Sequence, residues 1–380
     1  MPDFYEFFAG GGMARAGLGP AWKCIFANDF DNKKGRIYDA NWGKGTLVTR
    51  DVRELDPADL PGRPALVWGS FPCQDLSLAG GGAGLRGERS GTFWPFWRLV
   101  CALNAEGRGP DQIVLENVCG TLTSHKGRDF AAICNALREG GYRYGAIVVD
   151  AALFVPQSRP RLFILAVKEN SYIDPILTSD TPHTNWHTRM LIRAHDQLDS
   201  EIKMNWIWWT LPSPQEKTLK LLDIIEQHPE SVDWHSDEET AKLIAMMSDH
   251  NRRKIETARI SGLITVGTLY RRTRSNSSGA KQQRAEVRFD DIAGCLRTPS
   301  GGSSRQFVIF IHGSKVRSRL ISSRETARLM GLPDDYILPD NYNEAYHLTG
   351  DGVVVPVVNH ISTHLLMPIF RINFRRREAA

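Results

Sequence analysis

The side chains in this chain best suited to chemistry stand at strand ends. Pro72-Cys73-Gln74 follows the apolar run Pro64-Ala65-Leu66-Val67-Trp68, so the thiol falls on a loop at the carboxyl end of a strand. Open α/β sheets bind their ligands at that rim, and the fixed backbone of Pro72 aims the cysteine next to it. A free cysteine is also at home as a small buried hydrophobe, so Cys73 alone leaves both roles open. Gln112-Ile113-Val114-Leu115-Glu116-Asn117-Val118 reads as a second strand that delivers an acid at its end, next to the first if the order is sequential. Arg159 and Arg161, in Gln157-Ser158-Arg159-Pro160-Arg161, flank the start of the apolar run Leu162 to Val167. As alternate residues of a strand they would share a face and suit an anion, with a surface ion pair as the plainer alternative.

The opening reads as strand, glycine turn and helix: Phe4-Tyr5-Glu6-Phe7-Phe8, then Ala9-Gly10-Gly11-Gly12, then Met13 to Leu18. Such a turn brings backbone amides close to a carboxylate or phosphate, though a tight structural turn has the same residues. The next apolar run, Trp22 to Ala27, ends at Asn28-Asp29-Phe30, an acid placed for a ribose and an aromatic placed for an adenine. Asp51-Val52 ends a third. Helices are expected from Phe93 to about Leu103 and from Phe130 to Glu139, and a strand from Ala146 to Asp150. Strands and helices alternate up to Val167, which predicts a doubly wound, Rossmann-like parallel sheet. Gly80 to Gly84 reads as a loop that moves when substrate binds.

Beyond Glu169 the texture changes. Trp206-Ile207-Trp208-Trp209 concentrates aromatics without alternation, as core does. Helical periodicity returns at Thr218 to Glu226 and from Glu238 to about Ile260, and Arg324 to Pro333 reads as a helix stopped by glycine and proline. Gly350 to Pro356 reads as a turn feeding a last helix. The formal charge of +4 conceals an asymmetry: residues 252–324 hold 16 Lys/Arg against 4 Asp/Glu, so the remainder is acidic. That basic segment, of short strands and Ser/Gly loops, has the electrostatic footprint of a nucleic-acid contact, or of a solvated basic face. Length allows about two domains. Six cysteines without a Cys-x-x-Cys pair signal no disulfide framework and no zinc site. With no apolar run near the length of a membrane span, the expected compartment is the cytoplasm.

Taken in order, Phe8-Ala9-Gly10-Gly11-Gly12, Pro72-Cys73-Gln74, Glu116-Asn117-Val118, Gln157 to Arg161, the Arg324 to Pro333 helix and Gly350-Asp351-Gly352-Val353 resemble the motif set of the DNA cytosine-5 methyltransferases over nearly the whole chain. The resemblance implies a catalytic domain from residue 1 to 170, completed by 350–380, and a target-recognition domain over 171–349. It implies Cys73 as the nucleophile toward carbon 6 of cytosine, Glu116 on ring nitrogen 3 and the exocyclic amine, and Arg161, with Arg159, steadying both. The implied cofactor is S-adenosylmethionine, lined by Phe8, Ala9, Gly10, Gly12, Asp29, Phe30, Asp51, Val52, Pro72, Phe93 and Gly352. The implied partner is duplex DNA with its target base flipped out, contacted by Gln74, Arg271, Arg272, Arg274, Arg297, Thr298 and Arg305. Asp29 where the family often has Glu, Met13 where many members have glycine, and Asp351 where many have asparagine are departures from the pattern. No metal is implied, a monomer is the plain expectation, and a cognate restriction endonuclease fits the bacterial members. An RNA cytosine-5 methyltransferase and a silent DNA-binding protein on the same fold are the rival readings.

Overall fold

The computed structural model describes residues 1–72, 90–215, 219–275, 279–298 and 305–379. Cys73, Gln74 and the glycine loop at 80–84 lie outside them. The chain divides into two compact units, one of residues 1–150, 160–215 and 353–380, the other of residues 151–159 and 216–352.

The first unit is built on seven strands, β1 (Asp3–Phe7), β2 (Lys23–Asp29), β3 (Leu47–Thr49), β4 (Leu66–Gly69), β5 (Gln112–Val118), β6 (Tyr142–Asp150) and β7 (Pro160–Lys168), in the spatial order β3-β2-β1-β4-β5-β7-β6. Four helices, α1 (Met13–Leu18), α2 (Asn32–Trp42), α3 (Phe93–Ala105) and α4 (Arg128–Glu139), connect them. The order reverses between β1 and β4, the doubly wound pattern expected from the sequence, and β4 and β5 are parallel neighbours. One strand departs from a parallel sheet: β7 runs antiparallel to both β5 and β6. Only residues 151–159 join β6 to β7, too few for the crossover that parallel neighbours require. Its strands are apolar on both faces because helices cover both, and a core of Phe7, Val67, Phe96, Leu99, Ile113, Phe130, Ile133 and Ile164 fills one layer.

The unit extends to residue 215, beyond the boundary at 170 read from the change in texture. A two-stranded ribbon of β8 (Thr178–Ser179) and β9 (Trp208–Trp209), with helices α5 (Arg189–Asp196) and α6 (Ser200–Lys203), follows. The tryptophan-rich stretch joins this segment to the large sheet. Trp206 bridges Tyr144 of β6, and the fully buried Trp209 donates from Nε1 to the Leu165 carbonyl of β7 at 3.2 Å.

In the second unit, helices α7 (Leu221–Ile224), α8 (Asp237–Ala245) and α9 (Asp249–Ile260) precede four antiparallel strands. These are β10 (Thr265–Ser275), β11 (Lys281–Arg288), β12 (Gln306–His312) and β13 (Lys315–Leu320), ordered β11-β10-β12-β13. The sequence reading has one helix from Glu238 to Ile260; there are two, because Ser248 caps a new start by accepting from the Asn251 amide. One sheet face carries Leu269, Val287, Phe307, Ile309 and Ile311 into a core with Leu243, Met247 and Ile255 of the helical segment. Helices α10 (Ser323–Leu329) and α11 (Tyr342–Asp351) complete the unit. Glu325 closes a capping box on Ser322 and forms a fully buried pair with Arg319, whose guanidinium meets the carboxylate at 2.6 and 2.7 Å.

The chain then returns to the first unit as α12 (Val355–Ile361), a π-helical turn at Ser362–Leu366, and α13 (Met367–Glu378). Helix α12 lies directly on α1: a Cβ on Gly17 would stand 2.4 Å from Val358 Cβ, and Asn359 donates to the Gly17 carbonyl at 3.2 Å. The turn expected at Gly350 to Pro356 is present, with α11 ending at Asp351 and α12 starting at Val355. Taken across that turn, the run Tyr342–Glu378 is long and apolar enough by composition to cross a membrane. Its apolar window is 56% buried, and Val357, Val358, Ile361, Leu365 and Leu366 belong to the core.

Candidate active site

Glu116 and Arg161 come together at the rim where β4 and β5 end. Arg161 pairs with Val118 across the β5–β7 ladder, two residues from Glu116, so the two side chains are diagonal neighbours on one face. Their separation is 3.3 Å, from Arg161 Nε to Glu116 Oε1, and both are largely withdrawn from solvent. The reversed direction of β7 makes this possible, since its first residues lie where the parallel strands finish. Asn117, on the opposite face of β5, donates from Nδ2 to the Phe71 carbonyl at 3.2 Å, tying the acid-bearing strand to the segment that leads into Pro72 and Cys73. Cys119 sits just past this rim beside Arg161, and burial pushes its thiol pKa up.

Arg159 does not share a face with Arg161. It belongs to the second unit, ahead of the strand, and is nearly fully buried. Its guanidinium donates to the carbonyls of Leu296 at 2.8 Å, Gly350 at 2.8 Å and Gly352 at 2.7 Å. Those contacts give it a bracing role in the segment around Gly352. Gln157 does similar work there, donating to the Leu329 carbonyl and accepting from the Leu296 amide.

A second cluster lies where β1 and β2 end. Phe8, Gly10 and Gly12 all have positive φ, so the chain turns sharply ahead of α1. Gly12 admits no side chain, because a Cβ there would stand 2.2 Å from the Trp42 ring, and Trp42 Nε1 donates to the Gly11 carbonyl at 2.9 Å. Gly10, by contrast, has no atom of the described residues, its chain neighbours aside, within 4 Å of where a Cβ would stand. Its amide donates to Asp29 Oδ2 at 2.8 Å, and Oδ1 of the same carboxylate accepts from the Asp31 amide at 2.9 Å. Burial raises the pKa of Asp29. Phe30 is 67% exposed beside it. Asp51 accepts from the amide and guanidinium of Arg53, and Val52 is buried. An open glycine backbone, an acid and a free aromatic face at adjoining strand ends fit a nucleoside cofactor. Phe93 fits less well, since its ring is fully buried against Phe71 and Trp97. Ala9 is buried and packs with Ala27 and Tyr38.

Glu6, which the sequence reading leaves in a strand, lies beneath the glycine turn with 1% of its surface exposed. It accepts from the Arg15 amide at 3.2 Å, and burial pushes its carboxyl pKa up to about 8.

In the second unit, strand alternation separates the candidate arginines. Arg272 and Arg274 project with Tyr270 from the face away from the core, where β11 adds Arg284, Glu286 and Arg288. Glu286 accepts from Arg274 at 3.1 Å and lies 4.0 Å from Arg272. Arg271 points to the core face, over the Phe307 ring at 5.4 Å. Thr298 donates to Asp351, Arg305 donates to Asn343, and Arg297 is exposed. Among the described residues no group of three His, Cys, Asp or Glu side chains could hold a metal ion.

A reversed seventh strand in a doubly wound sheet, with an acid and an arginine at its ligand rim, defines a methyltransferase-like α/β enzyme. The model of the C-5 cytosine-specific DNA methylases matches residues 3–366, and the chain belongs to that family of DNA cytosine-5 methyltransferases. It is 27% identical to the type II methyltransferase M.SsoII of Shigella sonnei over 95% of this chain and 79% of that protein. It is 25% identical to M.NlaX of Neisseria lactamica over 99% and 100%. Among solved structures it is similar to the Dnmt2 methyltransferase of S. pombe, at 17% identity, TM-score 0.58 and coverage of 97% and 99%. The methyltransferase EhMeth of Entamoeba histolytica aligns at 14% identity, TM-score 0.61 and 98% of both chains, and these two likenesses speak to the fold.

Proposed function

We propose that the protein transfers a methyl group from S-adenosylmethionine to carbon 5 of a cytosine flipped out of a specific duplex sequence, through a covalent adduct of Cys73. The observation that carries this reading is the Glu116–Arg161 pair, at 3.3 Å on the rim to which Asn117 tethers the Phe71 carbonyl. Carbon 5 of cytosine is a weak nucleophile. Bonding of the Cys73 sulfur to carbon 6 places electron density on carbon 5, and loss of the carbon-5 proton after methylation lets the thiolate leave. Glu116 contacts ring nitrogen 3 and the exocyclic amine, where charge changes during attack, and Arg161 holds its carboxylate in place. A base inside a duplex is out of reach of these groups, so flipping is required.

S-adenosylmethionine supplies an activated methyl on a sulfonium. The open Gly10 backbone, Asp29 and the exposed Phe30 are the residues that would hold its amino-acid, ribose and adenine parts. The outer face of β10 and β11, with Arg272, Arg274 and Arg284, would meet the phosphates. The names of the bacterial relatives support a place in a restriction-modification system.

The deciding experiment is incubation of the protein and S-adenosylmethionine with duplex DNA carrying 5-fluorocytosine, followed by a denaturing gel. Fluorine cannot leave as a proton, so the adduct stalls, and a shifted band absent in Cys73→Ala is the expected result. No band on DNA of every short sequence, with transfer to tRNA instead, would establish the RNA enzyme.

A further inference from the structure

Helix α1 begins without a cap of its own. Its N-cap residue, Gly12, has no side chain to offer and cannot acquire one against the Trp42 ring. The first amides of a helix need acceptors, and a buried helix start without them is costly. The acceptor comes from another element. Glu6, in the middle of β1, reaches up so that Oε1 accepts from the Arg15 amide at 3.2 Å, while Oε2 is buried with no hydrogen-bond partner among the described residues. The groups facing the carboxyl are Arg15 of α1, Cys24 and Asp29 of β2, and Tyr38 of α2. Arg15 itself is held by the Tyr38 hydroxyl at 3.0 Å and by the Trp42 ring at 4.9 Å, the same ring that packs against Gly12. One buried polar cluster thus fixes both the end of the glycine turn and the start of the helix after it.

We propose that Glu6 is a positioning residue for the cofactor: it caps α1 from β1 and so holds the Gly10–Gly12 turn in the shape that receives S-adenosylmethionine. This rests on the cofactor reading above. Glu6 touches neither the substrate nor the reacting atoms, so its removal acts on cofactor affinity and not on the transfer step. The isosteric Gln keeps an oxygen for the Arg15 amide and should preserve the function.

The test is titration calorimetry of S-adenosylmethionine on the wild type, Glu6→Leu and Glu6→Gln, with turnover measured at saturating cofactor. Expected are a Kd raised about fivefold to tenfold in Glu6→Leu, kcat within about twofold of wild type, and Glu6→Gln close to wild type in both. A folded Glu6→Leu that binds the cofactor as the wild type does, or that loses kcat alone, overturns the proposal. Should Glu6→Leu not fold, hydrogen exchange of the Arg15 amide in the wild type and Glu6→Gln decides: slow exchange in both supports the cap, and free exchange in the wild type overturns it. A wild type that binds no S-adenosylmethionine at all would instead refute the cofactor reading.

Discussion

Arg161 Nε lies 3.3 Å from Glu116 Oε1 across two antiparallel strands in an otherwise largely parallel sheet. The pair is only slightly exposed, so its members depend on one another more than a surface pair would. Arg161→Ala and Glu116→Gln are each expected to lower kcat by about 10²- to 10⁴-fold while leaving DNA affinity within a few fold, measured by methyl transfer and by gel shift. Equal activity in Glu116→Gln would remove Glu116 from the chemistry.

Asn117 links the acid-bearing strand to the Phe71 carbonyl. Asn117→Ala leaves Phe71, and with it Pro72 and Cys73, less firmly placed. A drop in kcat of about 10- to 100-fold with unchanged DNA binding is expected, because displacement of a reacting group by about 1 Å is costly. Unaltered rates of adduct formation with 5-fluorocytosine DNA would show that the tether is dispensable.

Arg272 and Arg274 share the outer face of β10, whereas Arg271 faces Phe307. Replacing Arg272 or Arg274 by Gln should weaken duplex binding at all sequences and lower the slope of log K against log salt by about 0.9 each. Arg271→Gln should act on thermal stability and leave the slope alone. Glu286→Gln, which frees both outer arginines, should tighten non-specific binding.

Two buried groups tilt stability in opposite directions with pH. His187 Nδ1 accepts from the His183 amide at 2.7 Å, and burial, with His183, pulls its pKa down to about 4. The unfolded chain takes up this proton near pH 6.5 and the folded one only near 4, so stability is lost as pH falls through that interval. Glu6 works the other way. Its folded pKa of about 8 stands above the unfolded 4.5, so stability present at pH 4.5 is lost as pH rises toward 8. Thermal melts of Glu6→Gln should therefore gain on the wild type between pH 5 and 8, and His187→Gln should have a flatter acid limb. Parallel curves for all three proteins would contradict both assignments.

Much of the first unit was legible because its strands are apolar runs ended by the residues that do the work. The sequence puts Glu116 and Asp29 where a strand runs out, and both stand at strand ends in the structure. Strand direction was harder to read, since an apolar run looks the same in either sense. The shortness of residues 151–159 is the available sign that β7 reverses, and Arg159 stands just ahead of its first residue, Pro160. Strand alternation would have set Arg271 apart from its neighbours, and Ser248 before Asp249 was a legible helix start. Glu6 left no mark in the sequence, because an acid in a strand acquires its role only from the helix folded above it.

The union of α12 with α1 bears on how the first unit assembles. Helix α1 rests its Gly17 face on Val355 and Val358, residues far along the chain from it. Until those residues are in place, the Gly17 face of α1 lacks the surface it packs on in the folded chain. The placing of α1, and of the glycine turn ahead of it, thus depends on a helix that lies far along the chain, and a variant truncated before α12 is expected to lose the packing that seats α1.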